Sequence, residues 1–206
     1  MSEINYDIIY ADPPWLYNSN NSLAKNSILS KSRVEIGKTV YKVMDLKFIK
    51  SLKIKEICSE NSLLFIWVTN PMLPEAMEVI SSWGFKYATV AFVWEKVNPN
   101  PGSYTLSSVE SCIVAKRGKI PQPRGVRNAR QFYMEKKTRH SKKPKEFFNR
   151  ITQMFPEQKK LELFARTKPD KNLWDAWGLD VDGKTVEEQI MIHKLKNNFL
   201  TKIEEG

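Results

Sequence analysis

The chain is poor in cysteine, histidine and glycine, and each shortage removes a class of mechanism. There are two cysteines, Cys58 and Cys112, both in apolar surroundings. They read as reduced core thiols of a cytoplasmic protein, not as a disulfide or a zinc site. The two histidines, His140 and His193, leave little for a His-rich metal centre, so no metal is expected. Counting alone does not exclude a Ser-His-Asp triad, but nothing resembles a nucleophile elbow. Eight glycines are present and none form G-x-G-x-x-G, so there is no dinucleotide fingerprint. Residues 178–185 match the phosphate-loop pattern letter for letter. That match is rejected, because Asp180 and Asp182 would put negative charge where phosphates must sit. No apolar run approaches the roughly 20 residues needed to cross a membrane. The first residues also lack the basic-then-apolar pattern of a leader.

Positive charge, by contrast, is abundant and localised. The formal net charge is +10. Between Lys116 and Arg150 there are 13 lysines and arginines against two acids, while the rest of the chain holds 20 basic and 21 acidic residues. One segment therefore carries the whole excess. With Phe132 and Tyr133 inside it, this block suggests contact with a nucleic-acid backbone. Arg124, Arg127 and Arg130 are its candidate contacts. A solvated basic loop is the plainer alternative.

Apolar runs predict strands at 7–10, 63–69, 87–95, 109–116 and 161–165, and a weaker one around 174–181. Helical spacing predicts helices over 47–58, 74–83 and 144–155, and a charged amphipathic tail from 186 to about 202. Strands alternating with helices imply an α/β fold with a mostly parallel sheet covered on both faces. The runs at 87–95 and 109–116 have only a Pro/Gly loop between them, which predicts an antiparallel hairpin at one edge. Polar connections at 16–41 and 117–142 are longer than a compact domain usually keeps without a functional reason.

The stretch Tyr10-Ala-Asp-Pro-Pro-Trp15 closes the first strand. Ligands of open α/β sheets bind beyond the carboxyl ends of the strands, which is where Asp12, Pro13, Pro14 and Trp15 fall. Two prolines stiffen the backbone and remove two donors, leaving carbonyls and a carboxylate as acceptors beside an indole. Such a cluster suits the amino group of a planar base. Asp12 and the Pro13 carbonyl would hold its two hydrogens, with Trp15 or a nearby aromatic stacked on the ring. Taken alone, Asp-Pro-Pro is also an ordinary turn.

Together with three further stretches, this motif resembles the permuted, catalytic-motif-first family of N6-adenine methyltransferases. That family includes the catalytic subunit of the eukaryotic messenger-RNA adenosine methyltransferase and bacterial and phage DNA enzymes. The other stretches are His140-Ser-Lys-Lys-Pro144, Leu161-Glu-Leu-Phe-Ala-Arg166 and Trp174-Asp-Ala-Trp-Gly178, all in family order, over about residues 6 to 181. The resemblance implies a Rossmann-like methyltransferase sheet over 1–181, followed by a charged helical tail over 182–206. S-adenosyl-L-methionine is the implied methyl donor and nucleic acid the partner, with DNA preferred to RNA. It implies a cytoplasmic enzyme of a bacterial or phage-infected cell, and leaves monomer and homodimer both open. Asp12 would sit between base and cofactor, Lys143 at the cofactor's carboxylate, and Glu162 and Arg166 near its ribose and carboxylate. Phe164 would be a pocket wall or core. Tyr41, Glu110 and Ser141 match base-pocket positions, with a core aromatic at a helix entrance as the alternative reading of Tyr41. The match is incomplete. Leu179 stands where many relatives have an asparagine that binds the cofactor's sugar, so Asp180 would have to substitute. Ser108 also replaces a common asparagine, and the segment that covers the cofactor's adenine in longer relatives is not found upstream. An RNA-directed enzyme and a non-catalytic partner subunit are the alternative readings.

Overall fold

The computed structural model describes residues 5–15, 33–36, 39–42, 44–101, 104–138, 142–168 and 174–204. In chain order the first elements are β1 (Tyr6–Ala11), β2 (Arg33–Ile36), β3 (Thr39–Lys42), α1 (Leu46–Ser51), β4 (Cys58–Val68) and α2 (Leu73–Ser82). There follow β5 (Lys86–Asn100), β6 (Ser107–Arg117), β7 (Phe132–Glu135), α3 (Lys145–Met154), β8 (Lys160–Leu163), β9 (Asp175–Trp177), α4 (Leu179–Asp182) and α5 (Val186–Glu204).

Seven strands form one sheet in the order β7-β5-β6-β4-β1-β8-β9, and β2 pairs with β3 separately. All neighbours in the large sheet are parallel except those of β6, which runs against both β4 and β5. The expected hairpin is β5–β6, and it lies at one end of the sheet. The short strand β7, hidden in the long polar connection, is laid outside it.

The continuous apolar runs are explained by burial on both faces. Ile9 and Ala11 of β1, with Leu64, Ile66 and Val68 of β4, meet α1, α2 and α5. Ile8 and Tyr10, with Leu63, Phe65 and Trp67, meet Phe147 and Ile151 of α3. Helix α5 is docked on the sheet through Val186 and Ile190, and its His193 ring stacks on Tyr6 at 5.4 Å. Cys58 and Cys112 are both buried and unpaired, and burial pushes the Cys58 thiol up to about 12.

The helix expected over 47–58 breaks in two. Asp45 caps α1 by accepting from the Lys47 amide, the chain turns extended at Leu52, and a 3-10 turn follows at Ile54–Ile57. Ile49, Leu52, Ile54 and Ile57 are all buried. In one continuous helix Ile54 would point roughly 140° away from Ile49, so the break is what turns it inward.

The strand order sets the position of the site. The chain leaves β1 toward the β4 side and leaves β8 toward the β9 side. The crevice beyond the carboxyl ends of β1 and β8 is therefore a topological switch point, where open α/β sheets bind ligands.

Candidate active site

Asp12 follows β1 directly and stands at that crevice. Lys143 Nζ donates to both of its carboxylate oxygens at 2.8 Å. The same ammonium lies 3.2 Å from Glu110 Oε2, and Glu110 Oε1 accepts from Lys96 Nζ at 3.1 Å. The result is an alternating chain of four charges, Asp12–Lys143–Glu110–Lys96. Lys96 and Glu110 are buried, and Asp12 keeps 22% of its side chain exposed. Burial opposes the Lys143 charge, but Asp12 and then Glu110 outweigh it and hold that lysine above its ordinary pKa. Burial likewise opposes the Glu110 charge, and Lys143 and Lys96 outweigh it and hold the carboxyl below its ordinary value. The Trp67 ring lies under Lys143, 5.5 Å from its nitrogen.

The prolines hold the rest of the motif in place. The Pro13 carbonyl accepts from the Trp15 amide at 2.9 Å, and the Pro14 carbonyl accepts from the Met44 amide at 3.0 Å. The second bond ties Met44, at the entrance of α1, to the motif. The Tyr41 side chain lies outside the described residues, as does all of Ser141. Trp15 corrects an expectation. Its ring is 6% exposed, and its indole N–H donates to the Trp67 carbonyl at 3.0 Å. The ring is a pin in the core and offers no open stacking face, because the indole N–H takes its partner from the end of β4.

On the other side of the crevice, Glu162 of β8 pairs in register with Tyr10 of β1. Burial, then the Asp12 charge, pushes its carboxyl up to about 7, with Lys142 and Arg166 acting in the opposite sense. Phe164, the next residue but one, has φ 60°, a left-handed backbone that a bulky residue rarely adopts. Its side chain packs on the core. This turn lets the Ala165 amide reach the Trp177 carbonyl at 3.0 Å. It also brings Gly178 so close that a Cβ there would meet the Ala165 carbonyl at 2.2 Å. Leu179 and Asp180 begin α4 just beyond and are both exposed.

Four expected residues, Lys143 and three arginines, have surroundings that the sequence did not show. Lys143 is taken up by Asp12 and Glu110. The exposed ammonium near Glu162 is its neighbour Lys142, which bonds Thr167 Oγ1 at 3.0 Å. Adjacent residues of an extended segment point opposite ways, and sequence does not say which of two lysines turns inward. Arg124, Arg127 and Arg130 do not line the crevice. The Arg124 guanidinium lies over Phe155, and the next two amides cap the last carbonyls of α3. Helix α3 begins beside Lys143 and runs about 15 Å to that point, so Arg124 lies toward the opposite end of the sheet, while Arg130 precedes the edge strand β7, four strands away from β1.

The MT-A70 family pattern matches residues 6–180. The chain belongs to the MT-A70 family. It is 40% identical over 189 residues to a Mycoplasma type II methyltransferase, M.MunI, covering 88% of this chain and 80% of that protein. It is 25% identical over 187 residues to the N(6)-adenosine-methyltransferase MT-A70-like protein of Arabidopsis thaliana, and 24% over 153 residues to N(6)-adenosine-methyltransferase subunit METTL3 of Danio rerio. It spans about a quarter of each of those two longer relatives, 24% and 26%. As an MT-A70 protein the chain is a methyltransferase, and its mostly parallel sheet with one reversed strand is the Rossmann-like sheet of such enzymes. Among the described residues no cluster of His, Cys, Asp and Glu could hold a metal, and no helix is long and apolar enough to cross a membrane.

Sequence reasoning missed Lys96. The signal was present: Phe92 and Trp94 are buried at alternate positions, and Lys96 continues that inward-facing row. A lysine there needs a buried partner.

Proposed function

We propose that the protein transfers a methyl group from S-adenosyl-L-methionine to the N6 amino group of adenine in DNA. The observation that carries this reading is the Asp12 carboxylate, held on both oxygens by Lys143 at the switch point between β1 and β8. The type II methyltransferase among its relatives supports DNA as the polymer.

The crevice suits the cofactor. Glu162 and Asp180 offer acceptors for ribose hydroxyls, while Lys142 and Arg166 offer cations for a carboxylate. When bound, S-adenosyl-L-methionine supplies an electrophilic methyl on a sulfonium. The chain supplies position and electrostatics. Asp12 accepts one amino hydrogen of adenine and the free lone pair of the Pro13 carbonyl accepts the other. Lys143 fixes the rotation of Asp12, and Glu110 with Lys96 fixes Lys143. As positive charge grows on the adenine nitrogen, the Asp12 carboxylate stabilises it. The amino proton leaves after transfer, so no strong base is required. A duplex target must first release its adenine from the stack, at a cost of a few kcal/mol.

The direct test is transfer of labelled methyl to duplex DNA, single-stranded DNA and RNA, with mapping of the modified base. N6-methyladenine in DNA is the expected product. Methyl on cytosine, or no product on any polymer, rules the proposal out, and product confined to RNA transfers it to the adenosine-directed relatives. A second prediction concerns pH. Glu162 has a folded pKa above its unfolded one, so the contribution of its protonated form is lost as pH rises from about 4.5 through about 7 and the buried carboxyl ionises. The ionised form is the better acceptor for ribose hydroxyls. Affinity for the demethylated cofactor should therefore rise about tenfold from pH 6 to pH 8, and Glu162→Gln should flatten that profile. Calorimetric titration at both pH values decides it, and an unchanged profile in the variant removes Glu162 from the cofactor site.

A further inference from the structure

The basic block divides between the two ends of the sheet, and the far part has its own architecture. Six basic residues and no acid occur between Ser111 and Met134. Strand β6 ends in Lys116 and Arg117, which pair with Leu63 and Ser62 near the start of the apolar run of β4. The Lys119 amide donates to Asn61 Oδ1 at 2.7 Å. Asn61 and Trp67 are six residues apart on one strand, so this end lies about 20 Å from the level where Trp15 is pinned.

Its form is fixed. Gly118 has φ +62°, and a Cβ there would meet Asn61 Oδ1 at 2.4 Å. Gly125 lies so flat on the end of α3 that a Cβ would meet the Gln153 carbonyl at 2.0 Å. Arg117 is tied to the Lys55 carbonyl at 2.7 Å. A charged loop kept for solubility needs no such fixed backbone. Lys86 also stands directly opposite Lys116 across the β5–β6 ladder, and both are exposed. Like charges so placed destabilise a sheet unless an anion lies over them. Lys119, next to this strand end, is exposed, as is Arg127 in the loop that caps α3. Two acids at this end are already engaged: Asp7 accepts from the Lys159 amide, and Glu56 pairs with Lys194. Glu60 and Glu157 are exposed and leave the balance positive.

We infer that this end of the sheet is a second phosphate-backbone site, which holds a duplex segment other than the one presenting the target adenine. The inference rests on the proposed DNA substrate. The two ends face away from each other, and a straight duplex laid across the crevice does not reach Lys116. The contacts are flexible cations, which bind phosphates without reading bases.

The test uses the full chain, one duplex labelled with a donor dye and a second with an acceptor. Mixed with the protein at two duplexes per chain in low salt, they should show energy transfer that disappears as salt rises. The variant Lys116→Gln/Lys119→Gln/Arg127→Gln should lose most of that transfer while keeping the wild-type kcat for methylation. No energy transfer with the wild type overturns the inference. So does transfer that survives in the variant, which would mean that protein pairs bridge the duplexes. A variant that loses kcat as well would place these residues at the crevice and equally overturn it. Methylation of the same duplex is followed in parallel. Its absence in the wild type counts against the proposed function, and the energy-transfer comparison still decides the second site.

Discussion

Asp12→Ala is expected to lower methyl transfer by at least about 10²–10³-fold, the scale of losing one aimed electrostatic group, with little change in melting temperature. The activity loss has two parts. The amino group loses its carboxylate acceptor, and the Lys143 ammonium now faces the crevice with Glu110 alone to balance it, so it weighs against the cationic charge that develops there. The fold survives because Lys143 keeps Glu110, 3.2 Å away. Asp12→Asn keeps the shape and one acceptor oxygen, so it should fall between wild type and alanine. Single-turnover transfer with saturating cofactor, alongside a thermal melt, separates chemistry from folding. A variant within about threefold of wild type would falsify the placement of Asp12 against the amino group.

The second large effect is on stability, and it belongs to Glu110. This carboxylate stands between two lysines, with its side chain 8% exposed and that of Lys96 3% exposed. Glu110→Gln leaves the buried Lys96 ammonium without its carboxylate and Lys143 with Asp12 alone, and breaking a buried pair in this way costs about 3–5 kcal/mol. For a chain of this size that is a fall of roughly 10 °C in melting temperature. Adding Lys96→Met removes the orphaned charge and should recover a large part of the loss, so the two substitutions should be strongly non-additive. A loss under about 1 kcal/mol, or simple additivity in a denaturant double-mutant cycle, would show that the charges are not coupled. The pH dependence has a definite sign. Glu110 is held below its unfolded pKa, so its contribution is present above about 4.5 and is lost as pH falls through the folded value. Lys143 is held above its unfolded value, so its contribution is present below 10.5 and is lost at higher pH.

Much of this site was legible in the chain because its parts announce themselves locally. Ile8 and Ile9 ahead of Asp-Pro-Pro-Trp mark a buried strand that ends in acceptors, and Leu161 to Arg166 mark a second such ending. The resemblance then joined residues 150 positions apart, and β1 and β8 are indeed neighbours. What was not legible depends on direction in three dimensions. Nothing in the order of residues shows that Trp15 turns into the core, or that Lys142 and Lys143 face opposite ways. The arginines misled for a related reason. Arg130 and Lys143 are close in sequence, but Arg130 leads into the edge strand β7, and β5, β6 and β4 stand between that strand and β1. The break at Leu52 was hidden because five buried residues in a row of twelve look helical until their angles are compared. The left-handed turn at Phe164 had no sequence signal, since a phenylalanine does not ask for it.

The position of β1 has a consequence for how the protein is made. The first strand of the chain becomes a central strand of the sheet, with one neighbour about 50 residues later and the other about 150 residues later, since Ile8 stands beside both Leu63 and Lys160. Pairings over such distances require large loops to close before any contact compensates for them, which slows folding. Until Lys160 has emerged from the ribosome, one edge of β1 carries unpaired backbone groups and two faces of apolar side chains. During synthesis this strand is the part of the chain most in need of a chaperone, and the two halves of the crevice can meet only when nearly the whole domain is available to fold.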